Sequence, residues 1–149
     1  LNLLSFIRTI REVLPYMKKQ KSGHIINFAS SSIKETLENL ILSNTFRAGI
    51  VGLVKSLSHE LGKYNIIINT LGPGRFATDR VAELDQIRAN KLGIDVKELR
   101  QQTEKSIPLG RYGEPEEFAK VAVFLCSSAN TYLSGQAIVV DGGKLKALY

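Results

Sequence analysis

A chain of 149 residues suits a single domain, able to bury roughly 70% of the surface its unfolded form exposes. Its 44% apolar and 23% charged residues are ordinary globular values. The single cysteine, Cys126, excludes an internal disulfide and fits a reducing cytoplasm, and no segment reaches the roughly 18 apolar residues that a membrane span needs. The net charge is +6, yet the basic residues (Lys18, Lys19, Lys21, Arg88, Lys91, Lys144, Lys146) form no stripe interleaved with aromatics. That spread speaks for a solvated surface or an anionic small ligand rather than nucleic acid.

The chain opens on a helix over 1–19, with Leu3, Leu4, Ile7, Ile10, Val13, Leu14 and Met17 at helical spacing. It begins without a capping residue, a basic leader or a methionine. The expectation is therefore a piece of a longer chain with no signal peptide. Lys18 and Lys19 suit the helix C-terminus, and Ser22-Gly23 is expected to stop it. Residues 25–29 read as a buried strand, 30–42 as a polar loop, and 44–62 as a helix with Ile50, Leu53, Val54, Leu57 and Leu61 on one face.

Residues 66–71 form a second buried strand, rich in β-branched side chains, which Gly72-Pro73-Gly74 is expected to break. Residues 78–105 predict two short helices around Gly93. Pro115 opens a further helix to Ser127, with Glu116 and Glu117 favourable to its dipole. Cys126, beside the apolar run 121–125, is expected to be a buried small hydrophobe. Residues 138–140 are a third strand, closed by a tight turn at Gly142-Gly143.

Strands that alternate with helices and read as continuous apolar runs call for a doubly wound α/β fold with a parallel sheet covered on both faces. Three strands are few for such a sheet, since typical sheets have roughly five or six. The expected organisation is one part of a larger doubly wound domain, without internal repeats.

Three segments resemble the short-chain dehydrogenase/reductase family. The first is Gly23-His24-Ile25-Ile26-Asn27-Phe28-Ala29-Ser30-Ser31, similar to the strand that leads to the catalytic serine. The second runs from Arg47-Ala48-Gly49 through Leu57, Glu60-Leu61 and Asn69 to Pro73-Gly74 and Thr78-Asp79. The third joins Pro108-Leu109-Gly110-Arg111 and Gly113-Glu114-Pro115-Glu116-Glu117 to Ser134-Gly135-Gln136 and Val140-Asp141-Gly142-Gly143. Together they span nearly the whole chain in order. The resemblance implies a Rossmann-type fold, of which residues 1–149 are the C-terminal part, and use of NAD or NADP.

The family's active site is a tetrad of asparagine, serine, tyrosine and lysine. By register, Asn2 and Ser30 stand at the first two positions. Ser43 stands where the tyrosine belongs and Arg47 where the lysine belongs. A tyrosine elsewhere does not restore the pattern. Glu38-Asn39-Leu40 with Ser43-Asn44 and Arg47 resembles divergent reductase-like members of the family. A serine hydroxyl is far less acidic than a phenol and its side chain is several ångströms too short, so Ser43 is a poor acid–base substitute. Arg47 keeps the charge and gains donors for ribose hydroxyls, but cannot lose a proton. Glu35, Glu38 and Lys34 are candidates for an acid or base, with solvated loop charge as their simpler role.

The resemblance places Pro73, Gly74 and Thr78, and the stretch from Asn69, at the cofactor. Thr78 would contact the nicotinamide end or simply cap the helix beginning at Asp79, and the two roles are compatible. Gly72-Pro73-Gly74-Arg75-Phe76-Ala77 matches G-x-G-x-x-A but lacks the helix and the acidic ribose partner of a dinucleotide fingerprint. The family's phosphate-binding glycine loop lies before residue 1, so these residues alone are expected to bind a dinucleotide weakly. His24 and His59 have no metal-ligand spacing and read as surface groups, and Ser31 and Ser32 as solvated loop.

The expected function is NAD(P)-dependent hydride transfer to or from a carbonyl or hydroxyl of a small substrate, similar to 3-oxoacyl carrier-protein reductases or sugar dehydrogenases. Residues 81–107 would close over that substrate. The competing expectation is a non-catalytic member serving as a ligand-binding or assembly subunit. A cytoplasmic homodimer or homotetramer, with neither a nucleic-acid nor a membrane partner, completes the picture.

Overall fold

A computed structural model describes residues 2–148, without the side chain of Asn2. The elements run α1 (Asn2–Gln20), β1 (Gly23–Phe28), α2 (Ile41–Leu61), β2 (Ile66–Pro73), α3 (Asp79–Leu92), α4 (Val96–Lys105), α5 (Pro115–Cys126) and β3 (Ala137–Val140). Short 3-10 turns occupy Ser31–Ile33 and Gly62–Tyr64.

The strands form one parallel sheet in the order β1-β2-β3. β2 lies in the middle and is buried from Ile66 to Gly72. A parallel strand needs crossovers to each neighbour, and those crossovers cover its faces. On one face Ile68 packs with Ile10 of α1 and with Ile50 and Val54 of α2. On the other, α5 brings Phe118 against Phe28 and Phe76, with ring centroids 5.8 and 5.2 Å apart. This is the expected doubly wound α/β arrangement.

Several element boundaries differ from the sequence expectation, each for a local reason. α1 continues through Pro15, whose missing amide costs one ladder bond on the exposed side of the helix. It ends at Lys21, which takes a left-handed φ of 52°, and Gly23 already belongs to β1. α2 begins at Ile41, three residues before Asn44, so Ser43 lies within its first turn.

β2 runs through Gly72 and Pro73 instead of breaking there, because pairing with β3 outlasts pairing with β1. The Thr70 and Gly74 amides donate toward β3, whereas the Leu71 carbonyl accepts from Ala29 on the β1 side. Strand alternation then turns the Pro73 nitrogen toward β1, beyond the last β1 residue, where no ladder bond is lost. Cys126 is exposed rather than buried: it follows buried Leu125 and so points away from the sheet. The turn at Gly142 and Gly143 forms as expected, with φ of 68° and 83°.

Fully buried Asn69 ties the segment after α5 to the sheet. Its Nδ2 donates to the Leu133 carbonyl at 2.7 Å, and its Oδ1 accepts from the Gln136 amide at 3.0 Å. Its side chain is thus spent on the fold and not free for a cofactor. Asn69→Ala removes the side-chain partner of the Leu133 carbonyl and the Gln136 amide, two hydrogen bonds that together are expected to cost about 1–3 kcal/mol. Urea unfolding is the check, with a lower midpoint at unchanged slope.

Candidate active site

In a parallel sheet all C-terminal strand ends lie at one edge, and ligands of open α/β sheets sit outside that edge. There Ala29-Ser30 follows the end of β1, Gly74 the end of β2 and Asp141 the end of β3. Ser30 is half-buried and caps the 3-10 turn. Its Oγ accepts from the Ser32 amide at 3.3 Å, leaving the hydroxyl proton available for an incoming oxygen. Its position is set from behind by Gly72, where a Cβ would stand 2.5 Å from the Ser30 carbonyl oxygen. Only glycine lets the two backbones approach so closely.

Ser43 and Arg47 are one helical turn apart on α2, and the structure brings them together: Arg47 Nε donates to Ser43 Oγ at 3.2 Å. The cation takes up a lone pair of the serine, so the Ser43 hydroxyl faces outward as a donor. It also lies in the first turn of α2, where the helix dipole favours negative charge. Asn44 sets the start of that helix by clamping Leu37 from both sides. Its Nδ2 donates to the Leu37 carbonyl at 2.8 Å, and its Oδ1 accepts from the Leu37 amide at 3.4 Å.

Arg47 spends only Nε on Ser43. Its terminal nitrogens have no hydrogen bond among the described residues. It lines a cleft of about 380 Å³ between α1, β1 and α2. Asn27 lines the same cleft, and its Oδ1 is buried without a partner. A buried acceptor of this kind calls for a donor. Cationic donors and an amide acceptor in a space of sugar size fit the hydroxyls of a ribose. Asn27 was not legible as a site residue, since strand periodicity marks it only as one more inward position. Asn2 opens α1, and its side chain lies outside the described residues.

The loop from Pro73 to Thr78 is held on three sides. The Gly74 amide donates to the Val140 carbonyl at 2.8 Å, and a Cβ on Gly74 would stand 2.5 Å from that of Asp141. Ala77 and Gly113 bond across an isolated bridge. Gly74 is therefore required by packing against β3, whereas Pro73 is tolerated at the strand end. Thr78 Oγ1 accepts from the Val81 amide at 3.3 Å and caps α3, while its hydroxyl proton stays uncommitted. α3 opens at Asp79, well past the glycines, so the G-x-G-x-x-A match is no dinucleotide fingerprint.

The third side of this loop is a polar cluster that sequence reasoning missed. Buried Asp85 of α3 accepts from Arg75 Nη1 at 2.9 Å and from the Tyr112 hydroxyl at 2.7 Å. The Arg100 guanidinium of α4 lies 4.9 Å from the Tyr112 ring centroid. Burial first, then the bond to Asp85, pushes the Tyr112 phenol above its usual range. Asp85 shares the inward face of α3 with Ala89, and a carboxylate in phase with a buried alanine is the signal that marks it. Nearby, burial and the charges of Arg75 and Arg88 pull the Lys144 ammonium below its usual range.

Ser32 is buried rather than solvated, with its Oγ unpartnered, as is that of Thr70. His24 Nε2 lies 3.0 Å from the Asn130 carbonyl oxygen, a structural tie, and His59 is exposed. Among the described residues no group of three or more His, Cys, Asp or Glu is placed to hold a metal, and no helix is long and apolar enough to cross a membrane.

A parallel α/β sheet with a serine at one strand end and the Ser43–Arg47 pair on the following helix defines a class. Residues 1–144 match the family described as Enoyl-(Acyl carrier protein) reductase, and the chain belongs to the short-chain dehydrogenase/reductase family. It is 40% identical over 143 residues to a 3-oxoacyl-[acyl-carrier-protein] reductase of Chlamydia pneumoniae, covering 95% of this chain and 53% of that one. It is 32% identical over 145 residues to the NADPH-dependent reductase BacG of Bacillus subtilis, covering 97% and 56%. Among solved structures, L-sorbose reductase from Gluconobacter frateurii in complex with NADPH and L-sorbose is similar at a TM-score of 0.90 and 33% identity, covering 99% and 57%. The chain thus spans about half the length of these relatives.

Arg111 and Glu117, in the C-terminal signature, serve the fold. The guanidinium forks onto the carboxylate at 2.7 and 2.8 Å, and Glu117 also accepts from the Glu114 amide at 2.7 Å at the start of α5. The hydrogen bonds from Arg111, then the one from Glu114, lower the Glu117 carboxyl from 4.5 to about 2. Because the folded value is depressed, the stabilisation is complete above about pH 4.5 and is lost as pH falls through about 2. An NMR titration is expected to give Glu117 a midpoint near 2, rising in Arg111→Gln while the bond from the Glu114 amide still holds it below the ordinary glutamate range.

Proposed function

We propose that this chain is the C-terminal part of a single short-chain dehydrogenase/reductase domain. In this reading the protein transfers hydride between NAD or NADP and a carbonyl or hydroxyl group of a small substrate. The observation that carries the reading is the Arg47 cleft, where unspent guanidinium donors and the buried Asn27 acceptor meet one helical turn from Ser43. The relatives named as NADPH-dependent or carrying NADPH support the same cofactor class.

The dinucleotide, when bound, supplies or accepts the hydride. Arg47 and Asn27 hold its ribose hydroxyls, and Thr78 donates its free hydroxyl to the nicotinamide end. Ser30 directs its hydroxyl proton at the substrate oxygen, which gains negative charge during reduction, and Ser43, shorter than the tyrosine it stands for, reaches that oxygen through water. Preorganised donors of this kind stabilise an oxyanion without reorganising. Arg47 and the α2 dipole strengthen Ser43 as a donor. Since an aliphatic hydroxyl does not ionise near neutrality, Ser43 passes on a proton from solvent instead of serving as the acid itself.

The reading extends to assembly and location. Ile41, Leu42 and Phe46 leave an apolar surface at the start of α2, with Ile41 79% exposed. Such a surface is what an interface between subunits covers, and a homodimer or homotetramer is expected. Light scattering at micromolar concentration that returned a monomer would contradict this. The single, unpaired cysteine supports a cytoplasmic location.

The central test is cofactor titration of the full-length protein by NADPH and NADH fluorescence, followed by a turnover screen on 3-oxoacyl and sugar carbonyls. Wild type is expected to bind one of the two and to turn over slowly. Arg47→Ala is expected to weaken binding by about tenfold, the worth of one hydrogen bond to a charged group. Ser43→Tyr is expected to raise turnover, within the roughly 10²–10⁴-fold that general acid–base catalysis contributes. Tight binding without wild-type turnover, and activity only in Ser43→Tyr, would make the natural protein a ligand-binding member. Absence of dinucleotide binding in both forms would leave an assembly role.

A further inference from the structure

By the family resemblance residues 81–107 would close over the substrate, but the sequence does not indicate what they recognise. α3 and α4 fold into a hairpin with a cavity of about 470 Å³ between them, which begins at Thr78, next to the loop assigned to the nicotinamide. A cavity of that size takes a small metabolite. Val81, Ala82 and Val96 give it apolar walls. Two cations of α4, Lys97 and Arg100, line it one helical turn apart.

The state of the charges decides what this cavity can take. The carboxylate in its wall, Asp85, has each oxygen engaged, one by Arg75 and one by Tyr112, so it is not free to hold a cation. Arg100 gives only its Nε to Glu104, at 2.9 Å, and its guanidinium carbon lies 4.9 Å from the Tyr112 ring centroid. Its terminal nitrogens and the Lys97 ammonium have no hydrogen-bonding partner among the described residues. The remaining acid, Asp79, is exposed in the first turn of α3. The cavity therefore offers a fork and a point cation above an apolar floor, the complement of a carboxylate or phosphate on a short apolar body.

We propose that the α3–α4 hairpin is an organic-anion site, and that the substrate of this protein carries an acidic group bound by Lys97 and Arg100. Naming the ligand as the substrate rests on the oxidoreductase reading, whereas the anion site itself does not. The spread-out basic residues of the chain take on a specific use here, at two of the twenty lysines and arginines.

The experiment titrates the isotope-labelled full-length protein, without dinucleotide, with sodium hexanoate, 1-hexanol and inorganic phosphate, following the amides of Val81, Val96, Lys97 and Tyr112. Hexanoate is expected to shift these amides saturably, at least tenfold more tightly than either hexanol or phosphate. Lys97→Gln, an exposed substitution that leaves the Tyr112 stack in place, is expected to weaken hexanoate at least fivefold, and Arg100→Gln at least as much. Equal binding of hexanol, equal binding of phosphate, or an unchanged affinity in Lys97→Gln would each overturn the proposal. Saturable hexanoate binding in a protein that binds neither NADH nor NADPH would keep the anion site and discard the oxidoreductase reading.

Discussion

The structure depends on one constraint: β2 is a parallel strand between two others, with no solvent face. Every residue from Ile66 to Gly72 is buried. A strand in that position needs both faces covered and both neighbours delivered by crossovers. The apolar run Ile66-Ile67-Ile68 satisfies the start of the strand, whereas Asn69, Thr70 and Gly72 occur where it carries other duties. Asn69 ties down the segment after α5, and Gly72 makes room for the backbone of Ser30. Thus the strand that anchors the core also sets where the first hydroxyl of the site stands.

A second constraint operates at the sheet's C-terminal edge. Asp85 is a buried carboxylate with a guanidinium on one oxygen and a phenol on the other. Removing either partner would leave a buried charge short of compensation, which is far more costly than losing a surface pair. The arrangement ties the Pro73–Thr78 loop, α3 and the loop before α5 together at one point, and α4 joins through Arg100 on Tyr112. A hairpin fixed in this way presents its inner face in a defined position, as a specificity element must. It contrasts with the exposed pairs Arg80–Glu83 and Arg100–Glu104, which lie within single helices and hold no two segments together.

The pairing of Ser43 with Arg47 bears on the site we propose. A lysine in this position would present a point charge, whereas the arginine spends one edge on the serine and keeps the other for the cleft. The serine gains orientation but no acidity. The two side chains fit each other at helical spacing, and in the proposed site they would favour holding and polarising over proton donation.

The chain's fold class was legible because continuous apolar runs in alternation with amphipathic helices leave few alternatives to a covered parallel sheet. Ser30, Ser43 and Arg47 were singled out by the resemblance to the family's register and not by spacing alone, and their roles are proposals. What sequence could not supply were features that depend on two distant segments meeting. Asn27 is an orphan acceptor because β1 passes beside Arg47, and Asp85 is a junction because Tyr112 arrives from beyond α4. Cys126 is exposed because α5 turns that side of its last residue outward. Local composition encodes period and capping, so the sequence by itself determined the elements, their order and the candidate hydroxyls. Charge neutralisation, close backbone approach and the contents of a cavity are properties of surfaces brought together, and only the tertiary structure decided them.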